Sequence, residues 1–196
     1  SLASDSFGSY IDMASGDWIN LGDENSVFNP PMDMTLFYAF RLTTTGQVIF
    51  QWHANSVGGF QGHVKISYGQ TTQFNIDIGG QTSNPIPSNM VDVFKVMITY
   101  NHADSEFSYL VYNASQGTIV KEDTVSGSRT DISSWTINGY GQAAGHSSTP
   151  GQDLYTCKVY KQHVSKLPNE YENFIYGTTP PPTITTQTLT WTASAV

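Results

Sequence analysis

The sequence predicts an all-β domain, an antiparallel two-sheet β-sandwich of the jelly-roll type with little helix. Three observations predict it. Apolar and polar residues alternate in run after run, the period of a half-buried strand. Short turns rich in Gly, Pro, Asn and Asp separate the runs. Nowhere do strand-like and helix-like stretches alternate in the way a parallel sheet requires. An up-and-down barrel is the alternative closure of the same strands.

The clearest pair of strands lies in Asp92–Asn113. Phe94, Val96, Ile98 and Tyr100 alternate with Lys95, Met97 and Thr99, and Phe107, Tyr109 and Val111 alternate with Ser108, Leu110 and Tyr112. The polar turn Asn101–Ser105 between them makes this a β-hairpin.

The other elements follow in chain order. Residues 1–9 are small and polar and read as an N-terminal arm leading into a body over 10–176. Tyr10–Met13 and Trp18–Leu21 are strand signals. Asn29-Pro30-Pro31 is a break, because Pro fixes its own φ and restricts the residue before it. Strands are expected at Met32–Leu42 and Gln47–Trp52, then at His63–Tyr68 and Gln73–Ile78 beyond a glycine-containing loop over Ser56–Gly62. Gly79–Asn89, with Pro85 and Pro87, is a longer connection into the hairpin. Thr118–Val125, Trp135–Tyr140 and Asp153–Tyr160 are further strands, the last two joined by a small and polar loop over Gly141–Gln152. Val164–Tyr176 is a short helical or wrapping segment, with Leu167, Tyr171 and Phe174 at helix-like spacing. A Pro-rich, semi-rigid linker over 177–183 then leads to a Thr-rich strand over 184–196. That strand cannot stand alone, so it must pack on its own domain or on a partner chain.

Composition narrows the function classes. A chain of 196 residues is most simply one domain with a substantial core. Its eight Lys and Arg are scattered singly and its net charge is −8, so nothing here follows a phosphate backbone, and nucleic acid is excluded as a partner. Aromatic residues at 13% separate it from disordered chains. No apolar run approaches the roughly 20 residues that cross a bilayer, so membrane insertion is not expected, and Ser1–Tyr10 does not read as a signal peptide. Cys157 is the single cysteine, which excludes an internal disulfide and a multi-cysteine zinc site. The alternation around it sets Tyr155, Cys157 and Val159 on one face, where a buried, inert thiol is expected.

The order of these pieces resembles the laminin-G-like, concanavalin A-like jelly roll, in its bacterial and phage form. The resemblance rests on Asp12–Asp23 and Met34–Phe40 at the opening, and on Phe94–Asn101 and Phe107–Gly117 in the centre. Trp135–Gly139 and Asp153–Glu170 match its closing strands. It covers about residues 10–176, with Phe94 standing where the family usually has Trp. The family includes sugar-binding modules, adhesion domains and structural pieces of phage tails and capsids. The resemblance therefore implies the fold and leaves the function to the site.

Catalytic chemistry on such a fold has recognisable requirements. A retaining glycosidase needs two carboxylates on one cleft, about 5–5.5 Å apart, and no strand here carries the alternate acidic run that would supply them. Glu122 and Asp123 are adjacent and so face opposite ways, while Asp104 and Glu106 sit at the hairpin turn. A lyase of this fold needs a tyrosine or histidine base and a charge neutraliser. Tyr155–Gln162 and Gln51-Trp52-His53 resemble such strands, but the only arginines are Arg41 and Arg129. No Ser-His-Asp signature, H-E-x-x-H motif or P-loop is present. The chain is therefore expected not to be an enzyme.

Sugar binding needs aromatic faces flanked by short polar side chains. The candidates are Trp52, His53, Asn55 and Phe60 around one loop, and Tyr140, Gln142 and His146 around another. No cofactor is expected. The one metal to consider is Ca²⁺, for which Asp17, Asp23, Glu24 and Asn25 are the candidate ligands, although turn chemistry accounts for the same residues. Asn113-Ala114-Ser115 has the form of a glycosylation acceptor and also of an ordinary Asn turn. Three functions remain in play. The first is a carbohydrate-binding or adhesion module on a virion or cell surface, reading a glycan of a host or neighbouring cell. The second is a structural decoration or fibre protein of a virion, bound to other chains or to copies of itself, with the C-terminal strand as one means of contact. The third is a polysaccharide lyase or glycoside hydrolase. Low charge, polar uncharged faces, the absence of disulfides and the Pro-linked C-terminal strand favour a phage or similar virion surface, where the first two readings merge.

Overall fold

A computed structural model describes residues 1–14, 16–17, 19–22, 32–44, 48–54, 62–70, 73–78, 81–82, 86–87, 91–126, 132–137 and 151–177. Its strands are β1 (Leu2–Asp5), β2 (Gly8–Met13), β3 (Ile19–Gly22), β4 (Met34–Leu42), β5 (Val48–Ala54), β6 (Gly62–Gln70) and β7 (Gln73–Ile78). They continue as β8 (Gln81–Thr82), β9 (Ile86–Pro87), β10 (Phe94–Asn101), β11 (Glu106–Asn113), β12 (Thr118–Ser126), β13 (Ile132–Ile137) and β14 (Gln152–Tyr160). One sheet has the order β1-β2-β14-β4-β10-β11-β12, and the other the order β3-β13-β5-β6-β7-β8, with β9 also paired to β7. Every described pairing is antiparallel. The expected all-β sandwich is the fold.

The main core lies between the sheets. Leu36, Tyr38 and Phe40 of β4, and Phe94, Val96, Ile98 and Tyr100 of β10, meet Phe74, Ile76 and Ile78 of β7. The Phe74 ring contacts Phe40 and Phe94 edge-on, with centroids 5.7 and 5.1 Å apart. Aromatic pairs of this geometry add about 0.5–1.5 kcal/mol each to the value of the area they bury. The Tyr38 hydroxyl, fully buried among them, donates to Gln152 Oε1 at 3.0 Å, so neither polar group is stranded.

The hairpin lies where the alternation puts it, with β10 and β11 paired from Phe94↔Asn113 to Asn101↔Glu106. Its second face differs from a solvent-facing reading. Met97 and Leu110 are each only 6% exposed, because a second cluster covers that side of the sheet. The cover is a short helix, α1 (Pro168–Ile175), entered through a 3-10 turn at Val164–Lys166. Proline is well placed at the first helical positions, where its missing N–H is not needed. Leu167 and Ile175 are buried against Phe37, Met97 and Leu110, while Tyr171 and Phe174 are half-buried beside them. Lys95 Nζ donates to the Ile175 carbonyl at 3.3 Å, a cation against the negative end of the helix.

Two expectations need adjusting. Residues 1–9, read as an arm, include β1 and the start of β2, which pair as a hairpin from Leu2↔Ile11 to Asp5↔Gly8. On β14 the register against β4 shifts between Leu154 and Thr156, so Leu154 opposes Phe40 and Thr156 opposes Ala39. The extra residue is Tyr155. A β-bulge of this kind re-aims the bulged side chain. Cys157 and Val159 therefore pack on the main core, whereas Tyr155 joins Asp5 and Tyr10 on the other side of the sheet. The linker from 178 onwards and the strand over 184–196 lie outside the described residues.

Candidate functional site

Trp52 and His53 lie in β5, close to its end at Ala54. In register, Trp52 stands opposite Trp135 of β13 and Val64 of β6, a row that continues to the buried Ile78. His53 stands opposite Ser134 and Gly62. Asn55, Phe60, Tyr140, Gln142 and His146 lie outside the described residues, as do Asp23, Glu24 and Asn25. The next row of the same sheet, missed in the sequence because it crosses five strands, is polar throughout: Asn20, Thr136, Gln51, Lys65 and Asp77.

Asp17 is exposed and its carboxylate accepts the Ala14 N–H at 2.9 Å, closing the turn that Gly16 enters with φ +96°. Among the described residues, no three His, Cys, Asp or Glu side chains form a group able to hold a metal ion.

Arg41, the one described arginine, is committed. Its Nε donates to Asp153 Oδ2 at 2.8 Å, and its Nη1 lies 3.0 Å from Asp5 Oδ2. The Tyr155 hydroxyl donates to the same Asp5 oxygen at 2.7 Å, and the guanidinium lies over the Tyr10 and Tyr155 rings. Burial and the bond to Asp5 push the Tyr155 hydroxyl far above its ordinary range. Neither the proton acceptor nor the charge neutraliser of a lyase is available from this pair. Within YTCKVYKQ, Tyr155 ties β14 to the β1–β2 hairpin, Cys157 and Val159 pack on the main core, and Tyr160 packs on Phe37 in the second cluster.

The remaining motifs resolve similarly. The Asp104 carboxylate accepts from Asn101 Nδ2 at 2.6 Å within an exposed turn. Asn113 is 3% exposed and its Nδ2 donates to Asp92, while its Oδ1 accepts the Gln116 N–H. It ties the base of the hairpin rather than presenting a glycosylation acceptor. Burial pushes the Cys157 thiol up to about 12. Labelling of this thiol at pH 8 is expected to be at least about a hundredfold slower in the native protein than in denaturant, because the thiolate is the reactive form. Rapid native labelling would contradict the placement of Cys157 against the core.

Among the described residues a groove of about 730 Å³ lies between α1 and the β11–β12 edge. Its floor is Met97 and Leu110, and β12 provides Glu122 and Thr124 along one side. Pro168 and Tyr171 of α1 form the facing wall. Thr124 opposes Ser108 in register, their hydroxyls 3.1 Å apart, and Glu122 opposes Leu110. Burial, with Tyr176, Glu172 and Glu122 adding to it, raises the Tyr171 hydroxyl above its ordinary range. The sequence hid this groove because its two walls lie more than 40 residues apart in the chain.

With that geometry in place, comparison with known proteins gives the class of the fold. The described chain is a β-sandwich also seen in sialidase-associated proteins. It is similar to the Ruminococcus gnavus IT-sialidase CBM40 bound to α2,6-sialyllactose, at 11% identity and a TM-score of 0.61, over 85% of this chain and 96% of that one. It is also similar to Trypanosoma rangeli sialidase, at 14% identity and a TM-score of 0.63, over 89% of this chain but 28% of that one. A leech intramolecular trans-sialidase complexed with 2,7-anhydro-Neu5Ac is a further neighbour, at 16% identity and a TM-score of 0.57, over 87% and 27% of the two chains. No protein-family model and no curated protein sequence matches the chain. At these identities the likeness shows the fold alone.

Proposed function

We propose that this chain is a non-catalytic glycan-binding and adhesion module of laminin-G-like kind, displayed on a virion or cell surface with a structural part in its assembly. The observation that carries the reading is the near end-to-end match to the CBM40, a domain of similar extent solved with a bound glycan. The committed Arg41, the turn-bound Asp104 and the opposed Glu122 and Asp123 add to it, since none supplies an acid–base pair.

Charge supports one glycan class over the other. A sialic acid carboxylate is best received by an uncommitted guanidinium, and the one arginine among the described residues, Arg41, is already held by Asp5 and Asp153. With a net charge of −8, the protein favours neutral sugars over acidic ones. Affinity electrophoresis through gels carrying neutral or acidic polysaccharides tests this, and retardation by a neutral polymer is the expected result. Trp52→Ala and Tyr140→Ala test the loop sites in the same gels. Release of reducing ends or of unsaturated products from any polymer would overturn the non-catalytic reading.

A further inference from the structure

We propose that the groove between α1 and the β11–β12 edge is a binding site for a neutral oligosaccharide. The inference rests on the glycan-binding reading above and places that activity on residues outside both loop clusters. Its volume of about 730 Å³ lies within the range of ligand sites. Its chemistry matches a sugar on each side. Met97 and Leu110, each 6% exposed, close its floor, and Tyr171 offers a ring and a hydroxyl from the helix wall. The Ser108 and Thr124 hydroxyls and the exposed Glu122 carboxylate stand opposite, able to accept from and donate to sugar hydroxyls. Among the described residues no Lys, Arg or His lines the groove, and its charge is acidic, which selects against sialylated or sulfated sugars. The lining carboxylates, Glu122 and Asp123, are adjacent on β12 and so turn to opposite faces, and the helix wall lines the groove with none, which makes it a site for holding a glycan and not for cleaving one.

The test is isothermal titration of the full chain with neutral oligosaccharides, with sialyllactose and with a lysine-rich peptide. Neutral sugar binding is expected to weaken at least tenfold in Tyr171→Ala and several-fold in Glu122→Gln. Because Tyr171 also packs against the second core, Thr124→Trp provides the independent variant. Thr124 is exposed, so a tryptophan there fills the groove without touching the core, and it is expected to abolish binding with the thermal midpoint unchanged. If the unaltered chain binds neutral sugars and Thr124→Trp binds them equally well, this placement fails while the glycan-binding reading stands. If the chain binds no sugar, both fail. Tighter binding of sialyllactose, or of the basic peptide alone, would overturn the proposed ligand class.

Discussion

Phe37→Ala is expected to destabilise the protein by about 3–5 kcal/mol, the usual cost of emptying a buried phenylalanine site. Phe37 is 1% exposed and faces away from the main core. Its ring meets Phe174 of α1 at 4.8 Å and Tyr160 of β14 at 5.6 Å, so it is the post on which the helix is seated. The main core between the sheets is untouched by this substitution, which separates helix docking from sandwich closure. Urea denaturation gives the magnitude. A loss below about 1 kcal/mol, within the range of ordinary surface substitutions, would mean that α1 does not cover this face of the sheet.

Arg41→Ala is expected to cost about 3 kcal/mol, the lower end for breaking a buried ion pair, because the guanidinium retains some contact with water. The loss comes mostly from what is left behind. Asp153, with its side chain only 6% exposed, would keep a charge whose partner has gone. Methionine at position 41 is not expected to rescue the protein, since it restores volume but not the cation. The effect has a pH signature. Burial alone would raise the Asp5 carboxyl, but the Tyr155 hydroxyl, the Phe7 N–H and Arg41 together hold it below its ordinary value. A carboxyl lowered on folding contributes stability that is complete above its unfolded pKa of about 3.9 and is lost as pH falls through the lower folded value. The gap between the native protein and Arg41→Ala is therefore expected to narrow below about pH 4. A gap independent of pH down to pH 2 would contradict the role given to Asp5.

The hairpin Asp92–Asn113 shows what alternation in a sequence can carry. Its strand limits and its inward set, Phe94 to Tyr100, agree with the structure because both depend on the same period of two. The outward set does not follow from that period. Met97 and Leu110 are buried by a helix some 60 residues later, and no local pattern announces what will cover a sheet from outside. The same limit applies to Tyr155, where one bulged residue reverses a face assignment that strict alternation makes with confidence. Arg41 read as a candidate charge neutraliser until Asp5 and Asp153 were placed beside it, Asp153 being 112 residues away.

The candidate site was less legible for the same reason. Trp52 and His53 were found as residues of a strand end, and their register partners Trp135 and Ser134 could not be known from sequence. The groove joins helix and edge strand, so its residues are unremarkable until folding sets Tyr171 across from Glu122.

The central claim is that this sandwich binds glycans, and a glycan array probed with the intact chain tests it most directly. The account predicts retention on a defined set of neutral glycans, with no preference for their sialylated counterparts. Absence of binding to every glycan on the array, or binding that requires a sialic acid carboxylate, would contradict it.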